Sequence, residues 1–181
     1  MKQRKPPLLG ADALWEYALR VLGGRAHSSG ELRDKLRRKA AQMADVDPTI
    51  ARLKEHGYLN DRKFAESFAA ARLENEGLGR TRVLVDLARR RVAPAVAQQT
   101  VGKVYAETDE AALAEEYVRR KFRTASREGL FQAEKDLASA YRRLARAGFR
   151  SGTIIAVLKK FAANPDLLDG FEPPEAADEA E

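Results

Sequence analysis

Cysteine is absent from this 181-residue chain, and histidine occurs only twice. The first absence excludes a disulfide framework and a thiolate zinc site. The second leaves His27 and His56 without the i, i+4 spacing that puts two imidazoles on one helical face, so no metal site is expected. No apolar run approaches the roughly 18 residues of a membrane-spanning helix. The N-terminal MKQRKPPLLGADALW carries charge without a long apolar segment. A cytoplasmic protein with no membrane partner is expected. Convincing apolar–polar alternation is missing as well, which leaves no candidate strand.

The usual catalytic signatures are also missing. Gly77-Leu78-Gly79-Arg80 lacks the Lys-Ser/Thr of a phosphate loop and the preceding strand of a dinucleotide fold, and reads as a helix stop. No serine sits in a G-x-S-x-G elbow. Glu115 and Glu116 are ordinary carboxylates on a charged helix. No catalytic residue and no cofactor are expected, and an enzyme is the least supported class.

What is present is charge and helical periodicity. Hydrophobic residues make up 44%, enough for a core, while the charged fraction of 33% exceeds the usual quarter. The net charge of +6 understates the asymmetry: five of the 27 acids fall in EPPEAADEAE, Glu172 to Glu181, so 33 bases face 22 acids before it. The body calls for an anionic partner; the Pro-broken acidic tail has a disordered composition.

Apolar stripes at helical spacing run from end to end. Leu14, Ala18 and Leu22 form a first helix stopped by Gly23-Gly24. Ser28 and Glu31 have capping-box spacing ahead of a stripe of Leu32, Leu36, Ala40 and Met43. Asp47-Pro48 reads as a cap and first-turn proline opening a third helix with Ile50 and Leu53. The pattern then repeats: Phe64, Phe68 and Ala71, ended near Gly77; Val83, Leu84 and Leu87; Val96, Val101 and Val104. A third pass runs through Leu113, Tyr117 and Val118; Leu137, Tyr141 and Leu144; and Ile154, Leu158 and Phe161 behind a Ser151 cap. Three units of roughly fifty residues lie in the range of helical repeats. Each is short for independent stability, so neighbours should stack into an elongated solenoid. The expected divisions are a basic extension at 1–10, repeats at 11–59, 60–107 and 108–163, and an acidic tail at 164–181.

The corner LKEHGYLNDRKF, Leu53 to Phe64, joins the first two units. Gly57 is suited to a left-handed helix close, Tyr58 and Leu59 to anchoring the corner in the core, and Asn60 or Asp61 to capping the next helix. Basic residues recur after corresponding helices: Arg33 to Lys39, Arg80 and Arg82, Arg89 to Arg91, Arg119 to Arg123, and Arg142 to Arg146. One cluster is an ordinary solvated face. Recurrence in stacked units would form a stripe that a phosphate backbone or an acidic protein groove could follow.

ELRDKLRRK, IARLKEHGYLNDRKFAESFAAAR, GLGRTRVLVDLARRRV, EYVRRKF and LARAGFRSGTIIAVL occur in this order between about residues 11 and 162. The set resembles the bacterial RecX family of regulatory proteins, modulators of the recombinase RecA. The resemblance implies an all-α, curved molecule of three tandem three-helix repeats. It implies binding to RecA and to RecA filaments on single-stranded DNA, with inhibition of recombinase, ATPase and co-protease activities, hence regulation of DNA repair, recombination and the SOS response. Direct binding to single- or double-stranded DNA is a further family trait, and a monomer is expected. The positions matching the family's basic pattern are Arg37, Arg62, Arg72, Arg80, Arg89, Arg90, Arg119, Arg120, Lys121, Arg142 and Arg143. Where the family usually has Gly-Ile after the fifth helix this chain has Arg91-Val92, which suggests a helix running on to Pro94. The competing reading is a duplex-DNA regulator using Ser28 to Leu53 as a helix-turn-helix.

Overall fold

The computed structural model describes residues 8–122, 131 and 133–164. Within them the chain is helical: α1 (Ala11–Gly24), α2 (Ser29–Arg37), α3 (Val46–Glu55), α4 (Asp61–Ala71), α5 (Arg80–Arg89), α6 (Pro94–Val104), α7 (Glu110–Lys121), α8 (Glu134–Arg146) and α9 (Ser151–Phe161). Among the described residues, extended pairing is limited to isolated bridges, Leu9 with Ala40 and Phe131 with Ala162. This is an all-α fold of three-helix repeats. Arg123 to Gln132 lies outside the described residues apart from Phe131, as do the first seven residues and the acidic tail.

Packing divides the chain into two compact units: Met1–Phe68 with Asp86–Thr100, and Ala69–Val85 with Val101–Glu181. In the first, Leu14, Ala18, Leu32, Leu36, Ile50 and Leu53 from α1, α2 and α3 form a closed apolar cluster. In the second, Ala114, Val118, Leu137, Leu144, Ile154 and Leu158 from α7, α8 and α9 form another, with Phe131 and Phe149 buried among them. The same i, i+4 stripes that define the helices therefore supply both cores.

Several local details depart from the sequence expectation. The α2 stripe stops at Leu36; Ala40 is buried because its segment pairs with Leu9, and Met43, on a 3-10 turn, is 63% exposed. α3 begins at Val46, after Asp45, so Pro48 lies inside the first turn, where a missing N–H costs nothing. Asp47 instead pairs with Arg33 at 2.8 Å. On α4 the fully buried residues are Ala65 and Ala69, flanked by half-buried Phe64 and Phe68, while Ala71 faces water. α9 is preceded by Arg150 rather than capped by Ser151, whose hydroxyl accepts a hydrogen bond from Tyr141 at 2.8 Å.

The helix ends explain how repeats join. After α3, Gly57 takes φ +74°, and the N–H groups of Gly57 and Tyr58 bond the carbonyls of Lys54 and Leu53 at 3.0 and 2.9 Å. This is a Schellman close. The same pair of bonds closes α8 at Gly148, from Gly148 to Ala145 and from Phe149 to Leu144. It also closes α5, with Arg91 to Ala88 and Val92 to Leu87. α5 therefore ends at Arg89 instead of running to Pro94, and Arg91 occupies the left-handed region at φ +58°. A side chain there is strained by the contact of Cβ with the carbonyl. Arg91→Gly is accordingly expected to stabilise the protein by about 1 kcal/mol, read as a higher denaturant midpoint at unchanged slope.

Candidate functional site: a basic surface on jointed helices

The corner divides labour among its residues. Asn60 caps α4, accepting from the Lys63 N–H at 2.9 Å, while Asp61 accepts from the Ser29 N–H at 2.7 Å and from the Ser29 hydroxyl. The α4 start is thereby tied to the α2 start. Leu59 is buried as expected, but Tyr58 is 57% exposed, its ring stacked on His56 and edge-on to Trp15. Its apolar character serves an aromatic surface rather than the core.

A joint forms where the α2 N-terminus meets the α5 C-terminus. Ser28 completes the capping box with Glu31, and its hydroxyl donates to the Arg90 carbonyl. Glu31 in turn receives the Arg90 guanidinium at 3.0 Å and that of Arg25 at 3.4 Å. Burial alone would raise the Glu31 carboxyl, but the hydrogen bonds from Arg90, the Ser28 N–H and Arg25 outweigh it and hold the group below its ordinary value. A second joint repeats the arrangement: the Gly79 N–H, ahead of α5, donates to the Ala147 carbonyl at the end of α8, at 2.7 Å. In each case a positive helix start faces a negative helix end, and a donor at the cap of one helix, the Ser28 hydroxyl or the Gly79 N–H, satisfies a carbonyl left open at the end of the other.

These joints sort the basic residues singled out from the sequence. Arg37, Arg80, Arg89, Lys121 and Arg142 are exposed, with no ion-pair or hydrogen-bond partner among the described residues. Others are committed within their own unit. Arg90 holds Glu31 and lies over the Phe68 ring. Arg62 bonds Gln99 at 2.9 Å, and Arg72 pairs with Glu76. Arg119 pairs with Glu115 at 3.3 Å; Arg143 stacks over Phe122 at 4.9 Å. Arg120 donates to the carbonyls of Asn75 and Glu76, closing the π-helical extension of α4 at Arg72–Glu76. Sequence patterning could not separate these groups, because every tie except the i, i+4 pairs Arg72–Glu76 and Arg119–Glu115 reaches across more than twenty residues or onto a ring.

One half-buried and one buried group were invisible in the pattern. Tyr105 donates to the Leu78 carbonyl at 2.8 Å, and burial pushes its phenol up to about 12. His27 is 5% exposed; its Nδ1 lies 2.9 Å from the Arg25 carbonyl, which assigns the proton to that nitrogen, and Nε2 has no partner. Burial lowers its pKa from the ordinary 6.5. A base held neutral by folding favours the unfolded, protonated state as pH falls, so stability is complete above about 6.5, declines below it, and levels off below the folded pKa. His27→Gln is expected to flatten that stretch of the stability–pH curve; an unchanged slope would contradict the assignment. Among the described residues no cluster suits a metal ion, and no helix is long and apolar enough to cross a membrane.

The fold and this surface define a basic protein of three-helix repeats, joined by helix-end contacts. Family models described as the first and second three-helix domains of RecX match residues 15–53 and 60–101. The regulatory protein RecX of Amycolatopsis mediterranei is 32% identical over 162 residues, covering 85% of this chain and 88% of its own. That of Trichlorobacter lovleyi is 32% identical over 143 residues, covering 79% and 92%. The crystal structure of RecX from Lactobacillus salivarius superposes with a TM-score of 0.62 at 18% identity, covering 83% of this chain and 96% of that one, a likeness of fold. The chain belongs to the RecX family of regulatory proteins.

Proposed function

We propose that this protein is a non-catalytic modulator of RecA: it binds RecA filaments on single-stranded DNA and lowers their ATPase, strand-exchange and co-protease activities in the bacterial cytoplasm. RecX family membership over most of the chain carries the reading. Supporting it are the exposed, unpaired cations Arg37, Arg80, Arg89, Lys121 and Arg142, spread from α2 to α8. We divide their carriers into repeats at 11–59, 60–107 and 108–163, each offering cations to a long repetitive groove.

The deciding experiment is the rate of ATP hydrolysis by RecA on single-stranded DNA, titrated with this protein well below one copy per RecA. A fall with shortening filaments is expected; an unaltered rate at equal concentrations would remove RecA from the reading. Electrostatic contact also has a salt signature. If Arg37 and Arg142 each meet a phosphate of single-stranded DNA, neutralising either to Ala will reduce the slope of log affinity against log salt by about 0.7. Slopes identical to the native protein would take those two residues off the contact surface.

A further inference from the structure

The first unit contains a groove of about 520 Å3, lined among others by His27, Tyr58, Asn60, Lys63, Phe64 and Phe68. Phe64 and Phe68 stack at 6.1 Å between centroids, neither fully buried, and Tyr58 exposes more than half its surface. Ala65 and Ala69 are the buried positions of α4, whereas Phe64 and Phe68 stay partly exposed, Phe68 with the Arg90 guanidinium over its ring. Among the lining residues one is charged, the cation Lys63, and none is a carboxylate. His27 also lines the groove, with its Nε2 buried.

We propose that this groove receives an unstacked base of a single-stranded nucleic acid, with Tyr58, Phe64 and Phe68 as the stacking surface and Lys63 at the adjoining phosphate. The inference rests on the nucleoprotein reading above and specifies a site within it. Aromatic faces accept any base, and a cation beside them draws the phosphate, which is the combination used for sequence-tolerant single-strand binding. A purely apolar occupant would not call on Lys63 or on the exposed phenol of Tyr58.

The test compares a thymidylate 12-mer with an abasic 12-mer of the same phosphate count, by anisotropy at one salt concentration. Trp15, the chain's single tryptophan, lies 6.3 Å from the Tyr58 ring and gives a second, fluorescence readout. The native protein is expected to bind the thymidylate oligomer about tenfold more tightly than the abasic one. Tyr58→Ala, at an exposed position, and the milder Phe64→Leu are expected to lower the first affinity toward the second, leaving abasic binding and helicity unchanged. Discrimination that survives both substitutions overturns the site. Equal binding of the two oligomers by the native protein also overturns it, and if Tyr58→Ala then abolishes filament inhibition, the groove holds a protein side chain. Binding of neither oligomer also overturns the site, while the RecA ATPase titration of the same protein tells separately whether the modulator reading stands.

Discussion

Gly148→Ala is expected to destabilise the protein by about 3–5 kcal/mol. Two costs combine. Gly148 has φ +91°, where a side chain is strained by about 1–2 kcal/mol. In addition, its Cβ would stand 2.3 Å from the Arg82 backbone nitrogen and 2.9 Å from the Gly79 carbonyl oxygen. Backbone atoms cannot rotate away, so α8 must withdraw from the start of α5, and the bond from Gly79 to Ala147 goes with it. Gly152→Ala is the control: in α9, with nothing within 4 Å of the added carbon, it is expected to be neutral or stabilising by up to about 1 kcal/mol. Urea unfolding of both variants checks the argument. A Gly148→Ala midpoint equal to the native one would mean that the joint is not as close as described.

The second large effect separates neighbours. Arg89→Glu and Arg90→Glu change charge equally, yet their consequences are expected to differ in kind. Arg89 is exposed and unpaired, so its reversal leaves stability within about 0.5 kcal/mol while weakening capture of the anionic filament. Arg90 is held by Glu31, whose side chain is only 15% exposed. A carboxylate in its place faces Glu31 at the α2–α5 joint and is expected to cost about 2–3 kcal/mol. The pH dependence identifies the cause. Because Glu31 is held below its ordinary value of 4.5, the stabilisation is present above that pH and is lost as pH falls through the lower folded value. The gap between native and Arg90→Glu stability should therefore close in acid. A gap independent of pH would assign the loss to packing against Phe68 instead. Inhibition assays on Arg90 variants consequently need a stability measurement beside them, whereas Arg89 variants report on binding alone.

The joint also explains why Arg91 tolerates its left-handed backbone. Gly30 in α2 leaves room for it: a Cβ on Gly30 would stand 2.3 Å from the Arg91 Cβ and 2.4 Å from its carbonyl oxygen. Residue 91 is thus placed by a helix that begins sixty residues earlier, and contact across the joint outweighs the local preference against its φ. This is the general form of each place where the linear pattern misled. Met43, Ala71 and Tyr58 have the right apolar character and spacing for burial, but α2 ends early, α4 turns its small residues inward, and Tyr58 joins a surface aromatic cluster with His56 and Trp15.

Sequence by itself determined whatever is encoded within about one helical turn. The stripes of Leu14 and Ala18 or of Leu137, Tyr141 and Leu144, the Ser28–Glu31 capping box, the Gly57 close and the Asn60 cap all follow from i, i+3 and i, i+4 geometry, and all stand in the structure. The ordered RecX motifs carried the family because they combine these short-range requirements in one order. Tertiary structure alone decided which arginines remain available, since Arg90 and Arg120 find partners 59 and 45 residues away and no local spacing announces them. It also decided where α5 stops and which aromatic rings stay open to solvent. The physical reason is range: helices are specified by bonds that close within four residues, whereas a cation's availability and a helix end's strain depend on whatever the fold brings alongside.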